Sequence, residues 1–370
     1  MEKAFDCLII GAGPVSLVEA LVRARLGQSV ALVDAGPVLG GAWRTHHAFG
    51  VDGVETAPHV LLPHPLAHRA MLALVPGEYI DISADARFVV TRNPLLPDHS
   101  VPLVSGASFY LSWALVTRLT APGATRWAAL RGFLGMLARR LRDGPAAWKA
   151  EGALAPARGL DAWMRCFQAE LDRLGVVSHL GRDIRRIRTD GAGIVAEGAT
   201  GEVWRAKRLV ITRNAVVERV GDGSEDIELP RGAAALSYLA LLLRGPRGGG
   251  LRVMHGHPRI SLLNDTTDML PVAFQTRHPG CRVAAIRCAG HADPAPPEQL
   301  MADLQAMRWL SPDAALVDVF RQRVEQPGPQ RAAIVEMRRL LGSRLTVLPF
   351  GDFGLSSTFL RAGRRLRLPG

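Results

Sequence analysis

The feature that most constrains this chain is a continuous pattern over residues 8–44: an apolar strand, a glycine-rich turn, an amphipathic helix and a second strand that ends in an acid. The turn reads Gly11-Ala12-Gly13-Pro14-Val15-Ser16, and Asp34 follows it at close to the spacing of about 20 residues that is typical of dinucleotide-binding units. The glycines allow a tight bend and let a pyrophosphate approach the backbone at the helix N-terminus. The pattern predicts a dinucleotide-binding βαβ unit.

The third position of the turn departs from the usual glycine or alanine, because Ser16 stands there. Serine exceeds alanine by one oxygen atom, so we expect the helix to pack against the strand with a slight displacement.

Length and composition predict a globular protein of two domains. The chain has 370 residues, beyond the size at which a single hydrophobic core stops growing. Its hydrophobic fraction is 48% and its charged fraction 21%, which excludes a disordered chain. The net charge of +11 is carried mostly by arginine. No basic run is interleaved with aromatic residues as binders of single strands require, so we expect no nucleic-acid partner.

Targeting and metal-binding patterns are absent from the sequence. The first strand begins almost at residue 1, which leaves no room for a signal peptide, and no apolar stretch approaches the length of about 20 residues that crosses a bilayer. The four cysteines form no CxxC pair, which fits a reducing compartment. The histidines between residues 46 and 64 lack metal-ligand spacing. We therefore expect a cytoplasmic protein without bound metal.

Three segments together resemble one enzyme superfamily. They are GAGPVS, VDAGPVLGGAWR and the late LPFGDFG followed by LRAG. The combination is similar to FAD-dependent oxidoreductases of the amine oxidase, protoporphyrinogen oxidase and phytoene desaturase type, and to UDP-galactopyranose mutase. The resemblance implies an α/β fold: a Rossmann-like, glutathione-reductase-like FAD-binding domain with a parallel sheet flanked by helices, and an inserted α+β substrate domain. The FAD-binding domain would comprise residues 1–65, 151–220 and 342–370, and the substrate domain residues 66–150 and 221–341.

The resemblance also implies which residues hold FAD. The doublet Gly40-Gly41 would pass beside the phosphates with Arg44 assisting, because two glycines let the backbone approach an anion and arginine adds a charge-assisted donor. Ile184 would contact adenine through its backbone, and Gly351-Asp352 the ribityl phosphate. The cofactor-binding residues expected in this way are Gly11, Gly13, Pro14, Ser16, Asp34, Ala35, Gly40, Gly41, Ala42, Trp43, Arg44, Pro58, Ile184, Gly351, Asp352, Leu355 and Ser356.

One candidate catalytic residue follows from the segment VETAPHV at residues 54–60, which resembles the stretch that runs under the flavin ring in the mutase. A Gly-Pro-His sequence there places its histidine near the ring; this chain has Ala57-Pro58-His59. We therefore expect His59 to lie at the flavin face, where it modulates the ring or touches substrate. An ordinary loop histidine stays open as the alternative, and His46, His47 and His64 are weaker candidates.

The resemblance favours a FAD-dependent oxidoreductase that abstracts a hydride from a C–N or C–C bond of a small organic substrate. A non-redox mutase or isomerase stays open on the strength of Pro58-His59 and chain length. A protein of this fold that acts in binding or assembly without turnover is favoured by Ser16 and by the scarcity of tyrosine. The mutase-type arginine–tyrosine grip and the amine-oxidase aromatic pair are not found. Oxygen, a quinone and another protein are all open as electron acceptor.

Two arginine-rich segments leave peripheral membrane contact open. Residues 126–149 begin with a basic amphipathic helix, and the C-terminus carries Arg361, Arg364, Arg365 and Arg367. The alternative in each case is a solvated helix. The apolar spacing also predicts helices over 297–308, 313–323 and 329–341 and a final helix capped by Ser356 or Ser357. The oligomeric state and the substrate are not determined by any of these patterns.

Overall fold

The computed structural model of the chain describes the following residues: 4–57, 59–61, 65–82, 85–92, 98–103, 116, 127, 130, 131, 133–135, 138, 153–191, 193–212, 215, 217–229, 234–246, 248–290, 294–326, 331–348 and 354–368. Most of the predicted helix over 126–149 lies outside them. In its described part, Trp127, Leu130 and Leu134 are helical and exposed. No helix of the described chain is long and apolar enough to cross a bilayer.

Twenty strands and seven α-helices are described. The strands are β1 (Phe5–Ile10), β2 (Val30–Asp34), β3 (His46–Ala48), β4 (Val51–Val54), β5 (Tyr79–Asp81), β6 (Arg87–Val90), β7 (His99–Pro102), β8 (Leu154–Pro156), β9 (Val177–Leu180), β10 (Ile184–Thr189), β11 (Ile194–Gly198), β12 (Val203–Ile211), β13 (Arg219–Gly221), β14 (Asp226–Glu228), β15 (Ala234–Arg244), β16 (Arg252–His255), β17 (Ile260–Asp265), β18 (Cys281–Cys288), β19 (Ala315–Gln326) and β20 (Leu345–Val347). The α-helices are α1 (Pro14–Arg25), α2 (Pro65–Leu74), α3 (Gly159–Arg173), α4 (Val272–Arg277), α5 (Pro297–Ala306), α6 (Arg331–Leu341) and α7 (Gly354–Arg365).

The first sheet is built around β1. Five strands run parallel in the order β20, β12, β1, β2, β9; β1 pairs with β12 from Phe5 to Ile10 and with β2 from Cys7 to Ile10. Cys7 and Ile9 of β1 enter one apolar cluster, whereas Leu8 and Ile10 enter the cluster on the opposite face. Because both faces are buried, β1 reads as a continuous apolar run, as central parallel strands do. This is the predicted Rossmann-like arrangement.

A three-stranded meander extends this sheet. β10, β11 and the first half of β12 are antiparallel, with turns at Gly191 and Gly201, both at positive φ. The sequence of residues 183–212 predicts three strands joined by glycine-containing turns at these two positions, and the structure confirms them. The nine residues of β12 then continue past β11 and pair in parallel with β1. One long strand therefore joins the meander to the parallel sheet.

Helices cover both faces of the first sheet. α1, α2, α3 and α7 share an apolar cluster, to which they contribute Leu17, Met71, Phe167 and Phe359. On the opposite face, α6 contributes Met337 and Leu340.

Buried charges join the first helix to the last. Glu19 of α1 is 7% exposed and accepts hydrogen bonds from Arg23 and from Arg365 of α7. This pairing fixes the C-terminal helix on the βαβ unit.

The second sheet has seven strands in the order β19, β15, β18, β17, β16, β6, β7. Its neighbours are antiparallel except for β16 and β6. Leu241, Leu243 and Ile286 form its core together with Leu300 and Leu304 of α5. The arrangement is the α+β second domain that was expected.

One helix prediction is wrong. Residues 313–323 have apolar positions at helical spacing, for example Leu316 and Phe320, but the segment forms strand β19. It pairs with the full length of β15, from Ala234 opposite Gln326 to Arg244 opposite Ala315. This long ladder with a strand distant in sequence outweighs the local helical periodicity. The residues of one strand cannot reveal which distant strand will pair with it.

Besides α2, two segments outside the expected bounds of the FAD-binding domain contact the first sheet, and the domain division itself stays a prediction. β13 and β14 extend that sheet to Glu228, beyond the expected boundary at 220. α6 packs on its face, ahead of the expected boundary at 342. Both segments bury apolar side chains against the meander. The spacing of apolar residues does not show which of the two sheets a segment packs against.

Candidate functional site

Two glycine loops meet at the carboxyl end of β1. Gly11 has φ +108°, and its N–H donates to the Val33 carbonyl (2.8 Å). Gly13 then begins α1, with Pro14 as the first helical residue, and no described side chain caps this helix. The first-turn amides therefore face a partly exposed loop, which favours an anion at this helix end.

The second loop, Gly40-Gly41, closes on the first. The Gly40 N–H donates to the Ala12 carbonyl (2.8 Å), and a Cβ on Gly41 would lie 3.4 Å from the Cα of Gly13. Gly40 has φ +107°, and a Cβ there would lie 2.9 Å from the Trp43 carbonyl oxygen. A side chain on Gly40 would clash with the backbone of its own loop, and both glycines have positive φ, so glycine is required for the turn that brings the second loop to the first.

Asp34 ties the loops together. One carboxylate oxygen accepts from the Ala12 N–H (2.6 Å) and the other from the Gly36 N–H (2.6 Å). The backbone carbonyl of Asp34 accepts a hydrogen bond from the N–H of Arg182 (2.9 Å). Arg182 lies two residues before Ile184 in the sequence. The turn at Asp34 therefore contacts the chain just before Ile184, which the resemblance places at the adenine. Each Asp34 oxygen keeps a second lone pair for a ribose hydroxyl.

Ser16 faces packing rather than solvent. Its side chain is fully buried, and its Oγ has no hydrogen-bond partner among the described residues. A Cβ added to Gly11 would lie 3.4 Å from this Oγ and 3.4 Å from Oγ1 of Thr212. The serine therefore fills the space between helix and turn, as an alanine would.

The remaining cofactor candidates are partly outside the described residues. Pro58, Gly351 and Asp352 are not described, and neither is His64. α7 begins at Gly354, so Ser356 and Ser357 lie in its first turn and not at its cap as predicted. Leu355 is buried in the cluster shared with α1. Around the second loop, Ala35, Ala42 and Arg44 are exposed and Trp43 is half-buried.

An aromatic wall extends from the second loop into the protein. The Trp43 ring lies 4.7 Å from the His59 ring and 5.7 Å from the Trp163 ring, measured between centroids. Trp163 donates from Nε1 to the Tyr79 hydroxyl (2.9 Å) and meets Phe167 at 5.0 Å. Trp163 also lines a pocket of about 250 Å³ between α3 and residues 77–78. The sequence did not single out Trp163, which belongs to the apolar stripe of α3.

Next to this wall lies an acid that the sequence interpretation missed. Glu55 is 1% exposed, and neither carboxylate oxygen accepts a hydrogen bond from any described residue. Its Oε1 is 3.4 Å from Nδ1 of His59, which is itself 8% exposed. Burial raises the pKa of Glu55 above its usual range. An acid inside the apolar run 54–60 was the available signal.

Both sheets contribute to the surroundings of this pair. The hydroxyl of Thr266, after β17, donates to the Glu55 carbonyl (3.3 Å), and Thr56 donates to Gln322 of β19 (3.1 Å). Asp161 of α3 accepts from Thr45 (2.6 Å). The Glu55–His59 segment therefore lies where the two sheets meet.

The other described histidines of this region are peripheral. Burial lowers the pKa of His46, whose ring lies 5.6 Å from Phe320. His47 pairs with Asp52 (2.7 Å) at an exposed position.

The comparisons with known proteins agree with this geometry. A family model for a NAD(P)-binding Rossmann-like domain matches residues 9–74, which include both glycine loops and the Glu55–His59 pair. A search among curated proteins gives no match.

Three solved structures are similar over nearly the whole chain. A protein assigned as a protoporphyrinogen oxidase from Exiguobacterium sp. 255-15 is 14% identical, with 100% of this chain and 99% of that chain covered and a TM-score of 0.57. Reduced UDP-galactopyranose mutase is 13% identical, covers 98% and 93%, and has a TM-score of 0.61. A putrescine oxidase variant is 14% identical, covers 98% of each chain, and has a TM-score of 0.59.

Likeness at these identities establishes the fold. The chain shares the fold of these three proteins, with a Rossmann-like α/β domain and a second α+β domain, as its motifs predict.

Proposed function

We propose that this chain binds FAD across its two glycine loops and is an oxidoreductase that removes a hydride from a C–N or C–C bond of a small organic substrate. The observation that carries the proposal is the contact between Gly11–Gly13 and Gly40–Gly41 at the uncapped N-terminus of α1. Fold likeness to two oxidases supports the same assignment.

The residues present fit such a cofactor. Backbone amides at Gly13 and in the first turn of α1 would face the pyrophosphate, and the exposed Arg44 would add a positive charge. Asp34 and the Ile184 backbone would lie along the adenosine, and Trp43 would lie between the second glycine loop and the flavin ring. FAD would supply the two-electron chemistry, and the chain would supply binding, orientation and the exclusion of water.

The aromatic wall is suited to the last of these roles. Trp43, Trp163 and Phe167 form a continuous apolar surface at the junction of the two sheets. Reactive groups beside it would be shielded from bulk water, which strengthens every electrostatic interaction there. His59 and Glu55 are the polar side chains placed against this surface, so they are the groups available to hold a proton.

A second candidate is a mutase or isomerase without net electron transfer. Two observations support it: His59 packs against Trp43, which was expected at the cofactor, and the fold is shared with UDP-galactopyranose mutase. Such an enzyme would require the flavin to be reduced beforehand.

The absorption spectrum of freshly purified protein tests the proposal. We expect a yellow protein that releases one equivalent of FAD on heat denaturation, identified by mass. Anaerobic addition of amines, desaturation substrates and porphyrinogens then tests turnover, since an oxidoreductase substrate bleaches the visible band. A Gly40→Ala variant should lose bound FAD, and Gly27→Ala is its matched control. Gly27 also has positive φ, but an added Cβ there has no neighbour within 4 Å.

Each result selects one function. Bleaching by a panel member supports the oxidoreductase. Turnover only after dithionite reduction supports the mutase. A colourless protein that binds no added FAD contradicts both and favours a protein of this fold that acts by binding alone.

A further inference from the structure

The carboxylate of Glu55 has surroundings that an ionised acid does not tolerate. Its side chain is 1% exposed, and no described residue donates a hydrogen bond to either oxygen. An isolated charge buried in this way is destabilised far more than a neutral polar group, so such an acid takes up a proton instead. Burial is also the largest cause that raises the pKa of Glu55.

The alternative is an ion pair between ionised Glu55 and protonated His59, and the geometry disfavours it. A buried ion pair is stable only when its alignment is good and further hydrogen bonds satisfy the remaining lone pairs. Here the Nδ1–Oε1 distance is 3.4 Å, the contact fails hydrogen-bond geometry, and the second oxygen has no described donor. A neutral acid beside a neutral imidazole requires neither condition.

Among the groups around Glu55, His59 opposes burial, because its contact with this acid and its charge when protonated lower the pKa of Glu55, although burial is the largest cause. Asp161 of α3 lies on the Glu55 side and raises the pKa of this acid further, because two negative charges repel. On the His59 side, His46 of β3 lies close enough to interact electrostatically with His59 and with Arg44. From the second sheet, β17 and β19 present the uncharged Thr266 and Gln322 to this segment. None of these groups supplies the donors that an ionised Glu55 lacks.

We propose that Glu55 is a neutral carboxylic acid that donates its proton in a hydrogen bond to Nδ1 of His59, and so fixes this histidine as an Nε2–H donor toward the ligand of the site. A neutral imidazole carries one proton, and the hydrogen bond at one nitrogen decides which nitrogen holds it. The contact of 3.4 Å shortens to a hydrogen bond when the site is filled, as bonds in ligand-free sites commonly do.

The chemical class of the ligand follows from this assignment. An Nε2–H group recognises an acceptor, namely a carbonyl oxygen or an unprotonated ring nitrogen, and it stabilises negative charge that develops there. The acceptor-rich edge of a heterocycle packed against Trp43 has this chemistry. This role rests on the proposed function, because the heterocycle expected there is that of FAD. Glu55 is then a positioning residue that acts through His59.

Nitrogen-15 NMR of histidine-labelled protein at neutral pH tests the assignment, with the His59 signals identified by their loss in His59→Asn. In the wild type we expect a protonated Nε2 and an unprotonated Nδ1. Glu55→Gln should keep this tautomer, because an amide N–H also donates to Nδ1. Glu55→Leu should lose it and give a mixture of tautomers. Asp52→Asn, at an exposed pair with His47, is the control and should leave His59 unchanged.

Two NMR results overturn the proposal: both His59 nitrogens protonated in the wild type, or the wild-type tautomer retained in Glu55→Leu. Infrared spectroscopy gives a second readout should Glu55→Leu fail to fold. The wild type should show the carbonyl band of a protonated carboxylic acid at neutral pH, and Glu55→Gln should lose it. A wild type without this band, or a band that persists in the variant, contradicts the assignment.

Both measurements use the protein as purified and do not depend on turnover. A colourless protein with the expected tautomer and infrared band would contradict the FAD proposal and leave the Glu55 assignment standing. A yellow protein in which both His59 nitrogens are protonated would support the FAD proposal and contradict the Glu55 assignment.

Discussion

Asp34 ends strand β2 and Glu55 directly follows strand β4, but the carboxylates of these two acids differ in every contact. Asp34 is half-exposed and accepts two backbone N–H groups at 2.6 Å, from Ala12 and Gly36. Glu55 is fully buried and accepts none from the described residues. The partners of Asp34 come from its own βαβ unit, whereas Glu55 is enclosed by α3 and by strands of the second sheet.

The difference separates structural from chemical roles. An acid that accepts hydrogen bonds from backbone amides holds a loop in place. A buried acid without donors is an exception that native structures keep mostly at functional sites. The two glycine loops, Gly11–Gly13 and Gly40-Gly41, therefore form a fixed cradle, whereas the proposed protonation change lies in the Glu55–His59 segment.

The largest effect is expected for Gly40→Ala in the cradle. A Cβ there would be 2.9 Å from a backbone oxygen at φ +107°, so neither atom can move away cheaply. We expect loss of about 2–4 kcal/mol of stability and of bound flavin, because a non-glycine residue in this region is strained and displaces the loop. Urea unfolding and the ratio of visible to ultraviolet absorbance measure both. Gly27→Ala should lose only about 1 kcal/mol and keep its flavin; equal losses would contradict the contact.

Asp34→Ala should follow in size. It leaves the Ala12 and Gly36 amides without their charged acceptor, and we expect a loss of about 2–3 kcal/mol, since hydrogen bonds to charged groups are the stronger ones. Chemical denaturation gives the value. Asp52→Ala, whose side chain is 92% exposed, is the control with almost no expected change. A difference near zero between the two variants would show that Asp34 does not hold the loops.

Glu55→Gln should change the pH dependence of stability. Since the pKa of Glu55 is raised in the folded state, the stability that its proton provides is complete below the unfolded value of 4.5 and is lost as pH rises through the folded pKa. Wild-type stability should therefore fall above pH 4.5, with a limiting slope of about 1.4 kcal/mol per pH unit for one proton. The variant should lack this slope. Parallel curves for the two proteins would mean that Glu55 stays ionised.

The smallest effect is expected for Ser16→Ala. The hydroxyl is fully buried and unpartnered among the described residues, so its removal should leave stability unchanged or raise it by up to about 1 kcal/mol. Flavin content should not change. Reduced flavin content in this variant would assign Ser16 to the cofactor rather than to packing.

Local pattern was informative where the contacts are local. The glycine turn, α1, β2 and the meander with its turns at Gly191 and Gly201 all occur where the sequence predicts them, because each is built within about 30 residues of contiguous chain. The residues of the cradle could be named for the same reason. Trp163 and Glu55 were missed because their importance depends on neighbours from other segments.

The sequence by itself determined the βαβ unit and, through resemblance, the fold, since turn geometry and strand burial depend on residue types at fixed spacing. Only the tertiary structure decided that residues 315–326 form a strand, that β13, β14 and α6 belong with the first sheet, and that Glu55 is enclosed beside His59. Each of these depends on pairing or desolvation by segments far away in the chain. Such interactions leave no periodic trace in the residues that undergo them.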